Sequence, residues 1–206
     1  MRQVYIESVF VCLLFAIYTV MWAAKRRLQR KRTGADPEVF AQSSSRLQLY
    51  MIRVFNVVRI YTLLMIVLHT LEIRFFGFFS RFDPLAALPW KVAGFGIGLA
   101  GLAVCLIAQT EMKSSWRVGI DETKDTELVT SGVFQYVRNP TYLGLFILNA
   151  GVWLIWPTIA MFIMNFLFIY TLDIQVRCEE DFLQAKFGEK YTDYLKHSKR
   201  YLPFIY

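Results

Sequence analysis

Five stretches of the chain are apolar with hardly a charge between them: positions 4–24, 47–71, 90–109, 140–156 and 158–172. The first three each approach the roughly 20 residues an α-helix needs to cross hydrocarbon. The last two are shorter and are broken at Pro157, so they read as a tight hairpin of two helices. Polar and charged residues collect between and after these runs. The pattern predicts an all-α polytopic membrane protein with about five transmembrane helices and a helical cap at its carboxyl end. It reads as one domain, with three spans in residues 1–110 and the chemically equipped portion in residues 111–206.

Polar exceptions inside the runs change the picture in places. Arg53, Asn56 and Arg59 recur every third residue and so share one band of the second helix. Two readings stay open for them: a polar wall facing a pocket, or arginines that snorkel to the headgroups. His69 is read as a packed interfacial residue, and Glu7 as interfacial because it stands near the end of its run. Phe75, Phe76, Phe78 and Phe79 form an interfacial aromatic cluster. The third run carries Gly94, Gly96, Gly98 and Gly101, and Gly94 with Gly98 makes a small-residue face, which suits close helix packing and leaves a homodimer open. A dinucleotide fingerprint is excluded, because no strand precedes these glycines.

The bulk numbers agree. Of 206 residues, 56% are hydrophobic and only 19% charged, unlike an ordinary soluble domain. The net charge of +7 does not point to nucleic acid, because the basic residues flank apolar runs. The densest cluster, from Lys25 to Arg32, marks its side as cytoplasmic by the positive-inside rule. The amino terminus is then expected outside and the carboxyl terminus inside, and the first run is too long to read as a cleaved signal. Cys12, Cys105 and Cys178 form no framework and are expected as reduced thiols. With His69 and His197 as the only histidines, no metal site is expected.

Two polar segments flank the hairpin. Positions 126–144 read TELVTSGVFQYVRNPTYLG, and positions 175–203 read QVRCEEDFLQAKFGEKYTDYLKHSKRYLP. A hairpin between them returns both to one membrane face, where they are expected to form one site. Asn139 before Pro140 predicts a helix start, since Asn is favoured as N-cap and Pro at the first helical position. That start, with Arg138 beside it, is either an anion site or an ordinary capped helix. Gln175 and Glu179 lie four apart on one helix face. Arg177, Glu179 and Glu180 are candidate catalytic groups, although a solvated charged face, with Arg177 paired to Asp173 or Asp181, is the plainer reading. Gly188 is expected to end that helix.

LVTSGVF, RNPTYLG, the Glu179-Glu180 pair and FGEKYTDYLKHSKRYLP, taken in order, resemble the isoprenylcysteine carboxyl methyltransferase family and the wider group that includes phospholipid N-methyltransferases. The resemblance runs from about Trp116 to the end. It implies S-adenosylmethionine as methyl donor, held by Thr126, Glu127, Leu128, Val129, Phe134, Arg138, Asn139, Pro140, Thr141, Tyr142 and Glu179. It implies a lipid-like acceptor drawn from the bilayer, with carboxylate O-methylation favoured and amine N-methylation as the alternative, in which Glu180 could take the proton. Two positions depart from the family: Asn139 stands for its histidine, and Gln175 for its substrate-facing arginine, with Arg177 the nearest substitute. The rivals are an NADPH-dependent reductase, which shares the architecture but carries more spans, and a non-enzymatic membrane adaptor.

Overall fold

The first helix does not stop where its apolar run stops. In the computed structural model, which describes residues 2–39, 46–71, 82–120 and 127–203 together with 73, 77 and 80, α1 runs from Arg2 to Thr33. Lys, Arg, Leu and Gln are all good helix formers, and nothing breaks the helix until Gly34, at φ +70°. At 1.5 Å per residue α1 is about 48 Å long, well beyond a hydrocarbon core of about 30 Å. Its basic end projects past the membrane and ties down neighbouring loops. Lys25 donates to the Gln109 carbonyl at 2.5 Å and Gln29 to that of Ser114 at 2.6 Å. Arg26 pairs with Asp36 at 2.6 Å and Glu38 at 2.7 Å. The Arg26 bond holds the Asp36 carboxyl below its usual range.

Then come α2 (Arg46–Thr70), α3 (Leu88–Glu111), α4 (Pro140–Ile155), α5 (Ile159–Phe187) and α6 (Glu189–His197). Four of these, α1, α2, α3 and α5, are long and apolar enough to cross a membrane, and α4 is a shorter apolar helix between them. The chain is an integral membrane protein. The expected hairpin is α4 and α5, turned at Pro157, with the Thr158 hydroxyl accepting from the Met161 N–H at 3.3 Å. Past the apolar run α5 continues without interruption, because residues 159–187 contain neither Gly nor Pro. Gly188, at φ +54°, ends it as expected. The aromatic cluster Phe75, Phe76, Phe78 and Phe79 lies outside the described residues.

The core is Val11 and Leu14 of α1, Leu102 of α3, Leu148, Val152 and Ile155 of α4, and Trp156, Met161 and Met164 around the hairpin. The closest approach is between α3 and α4, and glycines make it. A Cβ on Gly101 would stand 2.5 Å from the Gly144 carbonyl oxygen, and one on Gly151 2.5 Å from that of Gly94. The small-residue face predicted on α3 is therefore covered by α4 of the same chain.

At the end of the bundle away from the basic cluster, Glu7 is fully buried within the protein. It meets Lys91 Nζ at 3.2 Å and His69 Nε2 at 3.0 Å, which joins α1, α2 and α3. His69 also packs on Trp156, with ring centroids 4.1 Å apart. Burying a charge in a membrane core is costly unless it is paired, and this grouping supplies the pairing.

Candidate active site

The site forms where the start of α4 meets the chain after α6. Pro140 opens α4 as expected, but the Asn139 side chain does not cap the helix. Its Nδ2 donates 3.0 Å to Glu180 Oε1 instead. The backbone before the helix pairs with the tail. Arg138 N–H donates to the Lys199 carbonyl at 2.7 Å, and Lys199 N–H to that of Tyr136 at 3.0 Å. Tyr194 hydroxyl donates to the Phe134 carbonyl at 2.6 Å, and burial pushes its phenol up to about 12, so it stays a donor at physiological pH. The glycine of LVTSGVF has its own reason: Gly132 sits at φ +64°, and a Cβ there would run into the Glu111 carboxylate, which accepts from Val133 N–H at 2.7 Å.

The two adjacent glutamates of α5 do different work. Glu180 is 8% exposed and accepts from Arg138 Nε at 3.0 Å, from Asn139, and from Arg200 Nε and Nη2 at 3.0 and 2.7 Å. It clamps the strip before α4 to the tail and does not line the cavity described next. Its expected role as a proton acceptor is therefore corrected: two guanidiniums and an amide occupy its oxygens, and it is not on the cavity wall. Glu179 lies one step round the helix and faces that cavity. Tyr142 hydroxyl donates to its Oε1 at 2.7 Å, and Gln175 Nε2 to the same oxygen at 2.9 Å. Gln175 is fully buried and also meets Gln48 of α2 at 3.5 Å, so it orients Glu179 rather than opening onto an acceptor. Arg177 is not in the site. Positions two apart on a helix point to opposite sides, and its side chain, 53% exposed, pairs with Asp173 at 2.7 Å. Its expected substrate role is likewise corrected.

A cavity of about 430 Å³ opens beside Glu179. Its wall includes Glu127, Leu128, Val129, Phe134, Arg138, Asn139, Pro140, Thr141 and Tyr142, all of the described residues expected to hold a donor. Thr126 lies outside the described residues. The sequence reading missed Trp116 and Arg117, which follow α3, and Tyr191 and Tyr194 of α6, all on the same wall. It also missed Arg200 beneath it. Two tyrosines three apart on a short polar helix were the available signal for α6. Arg200 stood within the stretch FGEKYTDYLKHSKRYLP without a role of its own, because its place depends on the tail folding back.

A volume of this size lies within the range of small-molecule and cofactor pockets, about 300–1,000 Å³. The wall combines a carboxylate, several aromatic faces and a helix start, which together suit a ligand bearing a cation, a flat ring and a carboxylate. Among the described residues no group of His, Cys, Asp and Glu could hold a metal ion. Residues 91–190 match the family model described as phospholipid methyltransferase. This stretch of the chain is similar to that family. The chain is also similar to two proteins named protein-S-isoprenylcysteine O-methyltransferase. It is 31% identical to that of Schizosaccharomyces pombe over 103 residues, and 30% identical to that of Tribolium castaneum over 122. These matches take in 48% and 51% of this chain, but only 42% and 41% of the relatives. The phospholipid methyltransferase stretch holds α4, α5 and most of α3, and with them Glu179, Asn139 and Tyr142. It leaves out α1, α2 and the tail from Tyr191 on.

Proposed function

We propose that the protein is an integral membrane methyltransferase that uses S-adenosylmethionine to methylate a lipid-tailed acceptor, a carboxylate in the first instance. The basic end of the bundle would face the cytoplasm. The observation behind this reading is that Asn139 to Tyr142 and Glu179, 37 or more positions away in sequence, border one cavity at that end. When bound there, the donor supplies an electrophilic methyl group: the acceptor oxygen bonds to the methyl carbon as the carbon–sulfur bond breaks, leaving its electron pair on sulfur.

The chain's own residues have three tasks in such a reaction. Glu179, fixed by Tyr142 and Gln175, offers an anion to the positive groups of the donor. The first turn of α4, no longer capped by Asn139, leaves a positive dipole end for the donor's carboxylate. Phe134, Tyr142, Tyr191 and Tyr194 supply flat faces for the purine and the sulfonium. Catalysis is then mostly alignment, since the leaving group needs no assistance. A carboxylate acceptor also needs no base. That matches a site in which Glu180 is committed to Arg138, Asn139 and Arg200 and turned from the cavity. An amine acceptor would first have to lose a proton, which makes it the weaker reading.

The test is to incubate the purified protein with methyl-labelled donor and a total membrane lipid extract, then treat the labelled product with mild alkali. Release of labelled methanol is expected, as from a methyl ester. Transferred label that alkali does not release as methanol points to nitrogen instead, and no transferred label contradicts the reading.

A further inference from the structure

Resting on that reading, we infer that Arg59 and Asn56 of α2 form the acceptor subsite and hold the anionic group of a long-chain carboxylate whose tail lies between α2 and α5. Four residues of α2 line the cavity: Ile52, Phe55, Asn56 and Arg59. Their spacing of three, four and seven is one helical stripe. Asn56 and Arg59 border the cavity and are nevertheless exposed, so the cavity is open at their level. Arg53, the third member of the polar band, is not on the wall.

Depth separates this part of the cavity from the donor end. Gln48 of α2 meets Gln175 of α5, and Thr62 meets Met164 at 3.5 Å, so the two helices run antiparallel side by side. Arg59 is eleven positions beyond Gln48, about 16 Å along the axis. Its guanidinium turns back towards the donor end, donating 2.9 Å to Asn56 Oδ1. The same cavity is lined by Ile52 and Phe55 of α2 and Phe168 and Leu172 of α5, which suit an acyl or prenyl chain rather than water. An arginine midway along an apolar span is expensive unless it has an anionic partner to meet.

The other cations on the wall have different surroundings. Arg138 is bound to Glu180 and to the Ser198 carbonyl. Arg117 follows α3 and acts electrostatically on Glu179, at the donor end. The family's substrate arginine is Gln175 here, and Arg177 points outward. Arg59 is therefore the cation placed where the wall is apolar and open. A guanidinium with an amide beside it offers a carboxylate several in-plane donors. Because α2 lies outside the matched residues 91–190, the subsite belongs to the part of the chain that the family match does not describe.

The probes are a pyrene-labelled long-chain fatty acid, its methyl ester and a pyrene-labelled phosphatidic acid, titrated by fluorescence anisotropy in neutral detergent. Wild type is expected to bind the fatty acid at least tenfold more tightly than the ester. Arg59→Gln should bring that ratio close to one, Arg59→Lys should retain part of it, and Arg177→Gln should leave it unchanged. Donor affinity, measured separately by calorimetry, should survive in Arg59→Gln. A ratio near one in wild type, an unchanged ratio in Arg59→Gln, a preference for phosphatidic acid, or loss of donor binding in Arg59→Gln each overturns the subsite. A wild-type protein that binds the fatty acid selectively but no donor leaves the subsite standing and defeats the methyltransferase reading instead.

Discussion

Glu179 and Glu180 share a peptide bond but not an environment. On a helix neighbouring positions are about 100° apart, enough to send one carboxylate into the cavity and the other into an ion network behind it. The resemblance gave Glu179 to the donor and left Glu180 a possible base, and what Glu180 does depends on what the tail brings. Arg200 and Arg138 decide it, and their approach follows from the backbone pairing of residues 136–139 with residues 199 and 200. Arg177 failed for a simpler reason that was already legible: it lies two positions before Glu179 and so on the far side of the helix. Glu180→Gln should leave two largely buried guanidiniums without their anion. Breaking a buried pair in this way costs about 3 kcal/mol. A clearly lower Tm in detergent is expected, with new protease cleavage in residues 198–203. An unchanged Tm with an intact tail contradicts the clamp.

At the level of whole helices, the apolar runs located the four described helices long enough to cross a membrane and the shorter α4, and Pro140, Pro157 and Gly188 located three of the ends. What composition hid was length: α1 and α5 both outrun their apolar runs, because polar helix formers continue a helix as readily as apolar ones. The glycines of α3 were legible as a packing face, but their partner was not, since Gly144 was read only as part of a motif. Gly101→Ala would press a methyl group against the backbone of α4 at Gly144 and Leu148, both 2.5 Å away. Overpacking of this kind costs about 2 kcal/mol. Gly96 has nothing within 4 Å of its Cβ position, so Gly96→Ala should be neutral or slightly stabilising. Thermal unfolding of both variants checks this, and equal Tm values would mean that the two helices do not touch where described.

For the molecule as a whole, the two ends of the bundle divide the work. The Glu7, Lys91 and His69 grouping fastens three helices at one end, and the cavity occupies the other. The meeting of residues 126–144 with 175–203 could be foreseen from the hairpin between them. For α2 the spacing of Arg53, Asn56 and Arg59 left a pocket wall open as one of two readings, but no periodicity or motif links Arg59 to Glu179 across 120 positions. Only packing joins them.

The central claim is that the Glu179 cavity holds the methyl donor. Calorimetric titration of S-adenosylmethionine into the detergent-solubilised protein tests it most directly, using wild type, Glu179→Gln and Arg177→Gln. Saturable binding is expected in wild type, with little change in Arg177→Gln and at least a tenfold loss in Glu179→Gln with the Tm preserved. No binding in wild type, or equal affinity in Glu179→Gln, contradicts it.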